Sequence, residues 1–368
     1  MIFKKYSSIE NTFDKVFVEK VKEQIPSNQK FVVQEKVHGS NCSFICDGQN
    51  ISFAKRTGVV EDKEKFYDYP ELLERYREKI LKIYSRVNEK YKDLQILIVF
   101  GEMFGGNYPH HDVKNDHRIM TIQKGVFYCP IHEFYGFDLY MITCHRLADH
   151  SMAEDAVSPS FADLTAKNRF LPVNETNAFF EQEKFIYAQT LFEGNLDECL
   201  SYPNDFSSTI YKNFNLPPID DNICEGVVIR PVEPLYLHDG SRVLLKNKNA
   251  RFAEKKSIKK RAPRVFVEPT YSDLLQKLLP EAENYITENR LHNVVSKIGE
   301  IRVPHDTGKL IGMMSKDVLE DFLKEHSGNY AALEKSEQKI VNTHITKAVS
   351  RLIKNMITRV HKTSDFLK

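Results

Sequence analysis

The stretch "VVQEKVHGSN", Val32 to Asn41, starts as a strand and then breaks its own pattern. Phe31, Val32, Val33 and Val37 are apolar, as a buried strand requires. Glu35 and Lys36 interrupt them, and the polar turn His38-Gly39-Ser40-Asn41 follows. Two readings account for a lysine there. Either an edge strand is entering a surface loop, where most lysines lie, or Lys36 is aimed into a site. In the second case its amine can act as a nucleophile, and Gly39 lets the chain turn tightly and a ligand approach.

Working outward, further segments read as strands: Phe31–Val37, Cys42–Cys46, Ile51–Lys55, Gln95–Phe104, Glu133–Tyr140, Gly226–Arg230 and Arg242–Lys246. Cys42 and Cys46 share parity with Phe44 and belong to one strand face. Pro70 to Tyr91 is a helix, with proline near its start and Leu73, Tyr76, Ile80, Ile83, Tyr84, Val87 and Tyr91 at helical spacing. Strands separated by irregular insertions point to an α+β domain of antiparallel or mixed sheets with flanking helices. The βαβ rhythm of a doubly wound fold is missing.

The chain has 368 residues, enough for two domains. The character changes along "KKSIKKRAPRVFVE", after which the pattern is helical. Ile340, Val341, Ile345, Ala348, Val349, Leu352, Ile353, Met356, Ile357 and Val360 form an apolar stripe, with Lys347, Arg351, Lys354, Arg359 and Lys362 off it. The expected division is a mixed domain at 1–258, a basic linker at 259–268 and a small all-α domain at 269–368. Net charge is only +1, yet Arg242–Arg264 holds ten Lys or Arg against one acid, and Gln338–Ser364 holds six against none. Basic blocks in the C-terminal third suit a polyanion, although a lone charge run is usually a solvated face.

Composition excludes some classes. At 41% apolar and 28% charged the chain is globular in type, and no run reaches membrane-span length. The start lacks the apolar core of a secretory signal. Six cysteines without a Cys-x-x-Cys pair suggest neither a disulfide framework nor zinc, and point to an intracellular, reducing compartment, cytoplasmic or organellar. His110-His111-Asp112 with His117 has ligand residue types but no metal spacing. No Gly-x-x-x-x-Gly-Lys-Ser/Thr loop is present, which disfavours a P-loop kinase.

The charges at strand ends carry the chemistry. "FAKRTG" places Lys55 and Arg56 at a turn. "LIVFGEMFGG" drives a buried strand into Glu102. "FYGFDLY" brings Phe137 and Asp138. "CEGVVIRP" sets Glu225 before a β-branched strand that ends in Arg230. "RVLLKNKN" sends Lys246 and Lys248 to one face. Acids and bases so placed suit a nucleoside triphosphate with Mg²⁺, since hard oxygens hold the metal and Lys or Arg holds phosphates. Asp138, Lys55 and Arg230 read equally as structural ion-pair members.

In order, "EKVHGSN", "AKRTG", "FGE", "FYGFD", "EGVVIRP" and "LLKNK" resemble the nucleotidyltransferase motifs of covalent nucleic-acid ligases. The match is nearest to phage type 2 RNA ligases and trypanosome RNA-editing ligases. "FKKYSSIEN" resembles that branch's N-terminus, and "NRLHNVVSKIGEI" its phage-type C-terminal domain. "GEMFGGNYPHHDV…IQKGVFYCP" is instead similar to the editing ligases and longer than the phage pattern, so nothing carries over from the phage type for 105–132. The resemblance implies an ATP-dependent RNA ligase with Mg²⁺ or Mn²⁺. Lys36 takes AMP, passes it to an RNA 5′-phosphate, and a 3′-hydroxyl then displaces it. The resemblance makes Lys36 the nucleophile and Glu225 a metal-dependent acid beside it. Lys246 and Lys248 become α-phosphate ligands, Arg56 and Glu102 ribose- and phosphate-side contacts, and Phe137 the ring on adenine. Glu35 contacts the base, while His38 and Asn41 serve either the nucleotide sugar or the later RNA steps. The phage-like C-terminal domain favours nicked duplex RNA as partner. DNA ligases and mRNA guanylyltransferases share the motifs but commonly carry an acid at the place of His38 and append a small β-barrel. A non-catalytic RNA-binding relative would lack the nucleophile or the metal acid, and Lys36, Glu225, Lys246 and Lys248 are all present.

Overall fold

The computed structural model describes residues 2–61, 64–143, 168–253, 272–299 and 306–364, without the side chains of 358–364. The chain divides into two units, Met1–Arg251 and Phe252–Lys368. The first ends short of the boundary expected at 258, and the expected linker lies outside the described residues.

In chain order the first unit contains β1 (Glu10–Asn11), α1 (Lys15–Gln24), β2 (Phe31–Glu35), β3 (Ser40–Cys46), β4 (Ile51–Lys55), β5 (Gly58–Val59) and α2 (Tyr69–Tyr91). Next come β6 (Leu94–Gly105), β7 (His132–Thr143), β8 (Arg169–Phe170), α3 (Val173–Gln182), β9 (Ile186–Tyr187), β10 (Thr190–Gly194), α4 (Leu196–Leu200), β11 (Gly226–Pro231) and β12 (Leu245–Lys248). The strands make two sheets, one ordered β1-β12-β11-β2-β10, the other β5-β4-β3-β6-β7-β8 with β9 beside β7. Pairing is antiparallel except for β1 with β12 and β7 with β9.

The opening stretch is the crossover between these sheets. β2 belongs to the first and β3 to the second, so Lys36–Gly39 is the link. The strand ends at Glu35 rather than Val37, although the Lys36 N–H still reaches the Gly226 carbonyl at 2.9 Å. A Cβ on Gly39 would lie 2.3 Å from the Met103 carbonyl oxygen and 2.9 Å from Glu102 Cγ. The room that the sequence reading gives to a ligand is filled by β6, and the glycine lets the link pass against it.

Helix α2 buries Leu72, Tyr76, Ile80, Ile83 and Val87, spaced three or four apart, against Cys42, Phe44 and Cys46 of β3 and Leu97 and Val99 of β6. Each such side chain contributes roughly 1.5–3 kcal/mol by leaving water. A second core joins Val21 of α1 to Phe31, Val33, Val227, Ile229 and Leu245 of the first sheet. A third joins Tyr6 and Leu244 to Ile45, Ala54, Ile98, Phe100 and Tyr140. The strand expected at Arg242–Lys246 lies at Leu245–Lys248, because pairing with β11 starts at Leu245.

The second unit is helical: α5 (Asp273–Asn284), α6 (Glu288–Ile298), α7 (Thr307–Ala331) and α8 (Lys335–Ser364). Ser272 and Thr287 cap α5 and α6 by accepting from Leu275 N and Arg290 N. The α8 stripe packs as expected: Val341, Ile345, Val349 and Ile353 meet Leu275, Leu278, Met314, Val318 and Phe322, while the side chain of Val360 lies outside the described residues. Buried Arg290 ties α6 to α7, giving hydrogen bonds to Asp317 at 2.5 Å and Asp321 at 2.9 Å.

Candidate active site

Strand alternation sets the first-sheet side of the site. Phe31 and Val33 face the α1 core, so Glu35 shares their side and Lys36 takes the other. On β12, Leu245 faces that core, which leaves Lys246 and Lys248 with Lys36. On β11, Val227 and Ile229 also face the core, and strict alternation would send Glu225 there too. Gly226 breaks it. Its φ is +140°, and a Cβ there would meet the Asn247 carbonyl oxygen at 2.1 Å. Glu225 thereby turns to the lysines.

Glu225 is 1% exposed and is held by both of them. Lys36 Nζ donates to Oε2 at 2.5 Å, Lys248 Nζ pairs with Oε1 at 3.0 Å, and His38 Nδ1 lies 3.6 Å from Oε2. Burial opposes the charge of Glu225, but Lys36, Lys248 and His38 outweigh it and hold the carboxyl at about 2. The second sheet supplies the opposite case. Burial, with the charge of Glu225 adding to it, lifts Glu102 to about 7 against the pull of Lys36, Arg56 and a hydrogen bond from Asn41. Asn41 and Glu102 are register partners on β3 and β6, and Arg56 follows β4. Lys36, His38, Asn41, Arg56, Glu102, Glu225 and Lys248 therefore come together, with Lys246 one pleat from Lys248.

Phe137 gets its place from a bulge. Phe100 pairs with Asp138 and Gly101 with Gly136, so Phe137 is the extra residue. The bulge turns two consecutive side chains the same way: Tyr6 meets the Phe137 ring at 4.9 Å and donates its hydroxyl to Asp138 at 2.9 Å. Arg230 donates to the Phe137 carbonyl and to Asp138, both at 2.9 Å, and Arg242 donates to Asp138 at 2.7 Å. Arg230 and Asp138 thus form a buried ion pair, one of the two readings their sequence context allows, and Lys55 pairs with Glu64.

These residues fit a nucleotide and a divalent cation. Phe137 carries the one ring that β7 leaves partly exposed between His132 and Tyr140, and such a ring suits stacking on a base. The carboxylates of Glu225 and Glu102 offer hard oxygens on the side where Lys36 and Lys248 suit phosphate.

A family described as RNA ligase matches residues 29–248, more than half of the chain, and one described as T4 RNA ligase 2 C-terminal matches 269–351. The chain belongs to the RNA ligase family. It is 26% identical to "RNA-editing ligase 1, mitochondrial" of Trypanosoma brucei brucei over 88% of this chain and 76% of that one. It is also 26% identical to "RNA-editing ligase 2, mitochondrial", over 88% and 84%. A solved Naegleria gruberi RNA ligase mutant with ATP and Mn is similar at 14% identity and TM-score 0.41, over 68% of this chain and 57% of that chain. The chain thus spans a little over half of that solved relative.

In this member of the RNA ligase family, Glu35 stands apart from the other candidates. Its oxygens are taken by Ser208 Oγ at 2.6 Å, Thr209 N at 2.9 Å and Thr209 Oγ1 at 2.7 Å. Burial pushes its carboxyl up, and these bonds offset part of that. Sequence reasoning missed Ser208, Thr209, Tyr6, Arg242 and Tyr128. Tyr6, Arg242 and Tyr128 lay in stretches already quoted, "FKKYSSIEN", "RVLLKNKN" and "IQKGVFYCP", without being named as functional; Ser208 and Thr209 carry no local signal. His110, His111 and Asp112 do cluster, with donor atoms within 4.8 Å, on largely solvent-facing side chains, and His117 is not among them.

Proposed function

We propose that the chain seals RNA ends with ATP through AMP carried on Lys36, and that its substrate is a nick in duplex RNA. The observation that carries this is the Lys36–Glu225–Lys248 cluster at the crossover between the sheets. In the first step the Lys36 amine bonds to the α-phosphorus and pyrophosphate leaves. The RNA 5′-phosphate next takes the AMP, and a 3′-hydroxyl then attacks and releases AMP. The amine attacks only without its extra proton. Glu225 accepts a hydrogen bond from the Lys36 Nζ at 2.5 Å, so its part is to orient the amine. Lys248 and Lys246 neutralise charge gathering on the phosphate, which is most of what phosphoryl transfer asks of a protein. Arg56 and Glu102 contact the ribose and phosphate side, and Phe137 stacks on the base. Glu35 acts on the base only indirectly, by fixing the backbone next to Lys36, since its oxygens are occupied. Glu225 and Glu102 are the groups that would hold Mg²⁺ or Mn²⁺, which supplies charge neutralisation at Lys36 and the phosphates.

The helical unit supports a duplex substrate, because α8 exposes Lys339, Lys347, Arg351 and Lys354 with no acid from Gln338 to its end. The five described cysteines are buried and free, which supports a reducing compartment. Among the described residues no helix is long and apolar enough to cross a membrane.

The test is incubation with α-labelled ATP and Mg²⁺, then with matched nicked duplexes and single strands. A labelled protein adduct and sealed RNA nicks are expected. An adduct from Lys36→Ala would sink the mechanism. Labelling by GTP alone would make the chain a capping enzyme, and equal sealing of an all-DNA nick would make it a DNA ligase. RNA binding without any adduct would leave a non-catalytic binder.

A further inference from the structure

Residues 106–131, between β6 and β7, are a folded insertion. Gly105 and Gly106 open it with φ of +96° and +94°, and a Cβ on Gly105 would sit 2.0 Å from the Ile131 carbonyl oxygen. The insertion is bonded to the segment that precedes Glu225. Phe127 and Asn222 exchange two hydrogen bonds, each of 2.8 Å, between the Phe127 backbone and the Asn222 side chain. Tyr108 donates its hydroxyl to the Pro217 carbonyl at 2.5 Å. The residue after Phe127 is Tyr128, fully buried, its ring edge-on to Phe104 at 5.2 Å. Its hydroxyl oxygen accepts the His38 N–H at 2.9 Å. His38 in turn lies 3.6 Å from the Glu225 oxygen that holds Lys36.

We propose that Tyr128 is a positioning residue for the adenylylation of Lys36: its hydroxyl fixes the backbone of His38, and so sets the imidazole beside Glu225. Ring packing alone would need only a phenylalanine. The hydroxyl meets the crossover link at the residue two beyond Lys36, and the reciprocal Phe127–Asn222 pair registers Tyr128 against the segment ending in Glu225. The insertion therefore joins the two halves of the Lys36–Glu225 pair from behind, one through His38 and one through Asn222. This rests on the RNA ligase reading for its kinetic consequence, though not for its geometry.

Tyr128→Phe keeps the ring and removes the acceptor. With saturating ATP the adduct should form on the order of 10- to 100-fold more slowly, the scale of small misplacements in a catalytic group, with KM for ATP nearly unchanged. In a His38→Ala background the same change should cost less than about two-fold, because the side chain it positions is gone. Tyr108→Phe, which loosens the same insertion elsewhere, should leave the rate within about two-fold of wild type. Amide hydrogen exchange should rise at residues 36–39 in Tyr128→Phe and stay unaltered in α2 and β7. Multiplicative effects of Tyr128→Phe and His38→Ala would overturn the proposal, as would an equal loss in Tyr108→Phe, a rise in KM alone, or unchanged exchange at 36–39. If the wild-type chain forms no adduct, the ligase reading fails, and the exchange measurement still decides whether Tyr128 holds His38.

Discussion

Asp138 and Glu225 are both buried carboxylates held between two cations, and they differ in which cations those are. Asp138 has Arg230 at 2.9 Å, Arg242 at 2.7 Å and Tyr6 at 2.9 Å, with each arginine side chain 3% exposed. Glu225 has Lys36 at 2.5 Å and Lys248 at 3.0 Å, with those side chains 17% and 12% exposed. Arginine keeps its proton under all ordinary conditions and binds a carboxylate with a rigid fork. Lysine can lose its proton and swing on a flexible stem. The first cluster is thus a clamp between the sheets, capped by the Phe170 ring 3.5 Å from the Arg242 guanidinium carbon. The second, on the proposed mechanism, is a set of charges that a substrate rearranges. The cation chosen separates architecture from chemistry.

The largest effect expected is Lys36→Ala, which should abolish the AMP adduct while the chain stays folded, since Glu225 keeps Lys248; labelled-ATP transfer and a thermal melt check both halves. Asp138→Asn should do the reverse. Stranding two buried arginines should cost about 3–5 kcal/mol of stability, read by denaturant unfolding, with adduct formation retained by the molecules that remain folded. Lys248→Ala should slow adduct formation on the order of 10²- to 10³-fold, as loss of one transition-state charge contact does, while Lys248→Arg should restore stability better than rate. A Lys248→Arg enzyme at full speed would show that an arginine beside Glu225 serves as well as a lysine.

The smallest effects are in pH. Glu225 is held at about 2 against an ordinary 4.5, so its contribution is fully present above 4.5 and lost as pH falls towards 2. Burial opposes ionisation of Asp138 as well, but its two arginines keep it below its ordinary value, so it acts in the same direction. Glu102, lifted to about 7, is opposite: between 4.5 and 7 the folded chain keeps a proton that the unfolded chain releases, so stability falls as pH rises and stays reduced above 7. Glu102→Gln should flatten that neutral limb and leave the acid limb alone, as unfolding curves across the two windows will show.

Much of the site was legible because residue type and local spacing carry it. A lysine before a glycine turn, acids at strand ends and two lysines of one parity are visible in neighbouring residues. The α2 and α8 stripes follow from the 3.6-residue period. What was not legible depends on distant pairing. Lys36 and Glu225 are 189 residues apart, and Tyr6 and Asp138 are 132 apart. The sequence places Glu35 beside Lys36 and so suggests a shared job, yet strand alternation sends them to opposite faces.

From "VVQEKVHGSN" alone come the strand, the turn and a lysine in an unusual place, because apolar pattern and glycine act over a few residues. That this lysine stands where the chain crosses from one sheet to the other was decided by tertiary structure. So were the positive φ that turns Glu225 to meet it, the bulge that brings Phe137 and Asp138 to one side, and the insertion that holds His38 from behind. Each of these depends on which strand lies next to which, and strand neighbours are settled by burying faces across the whole domain.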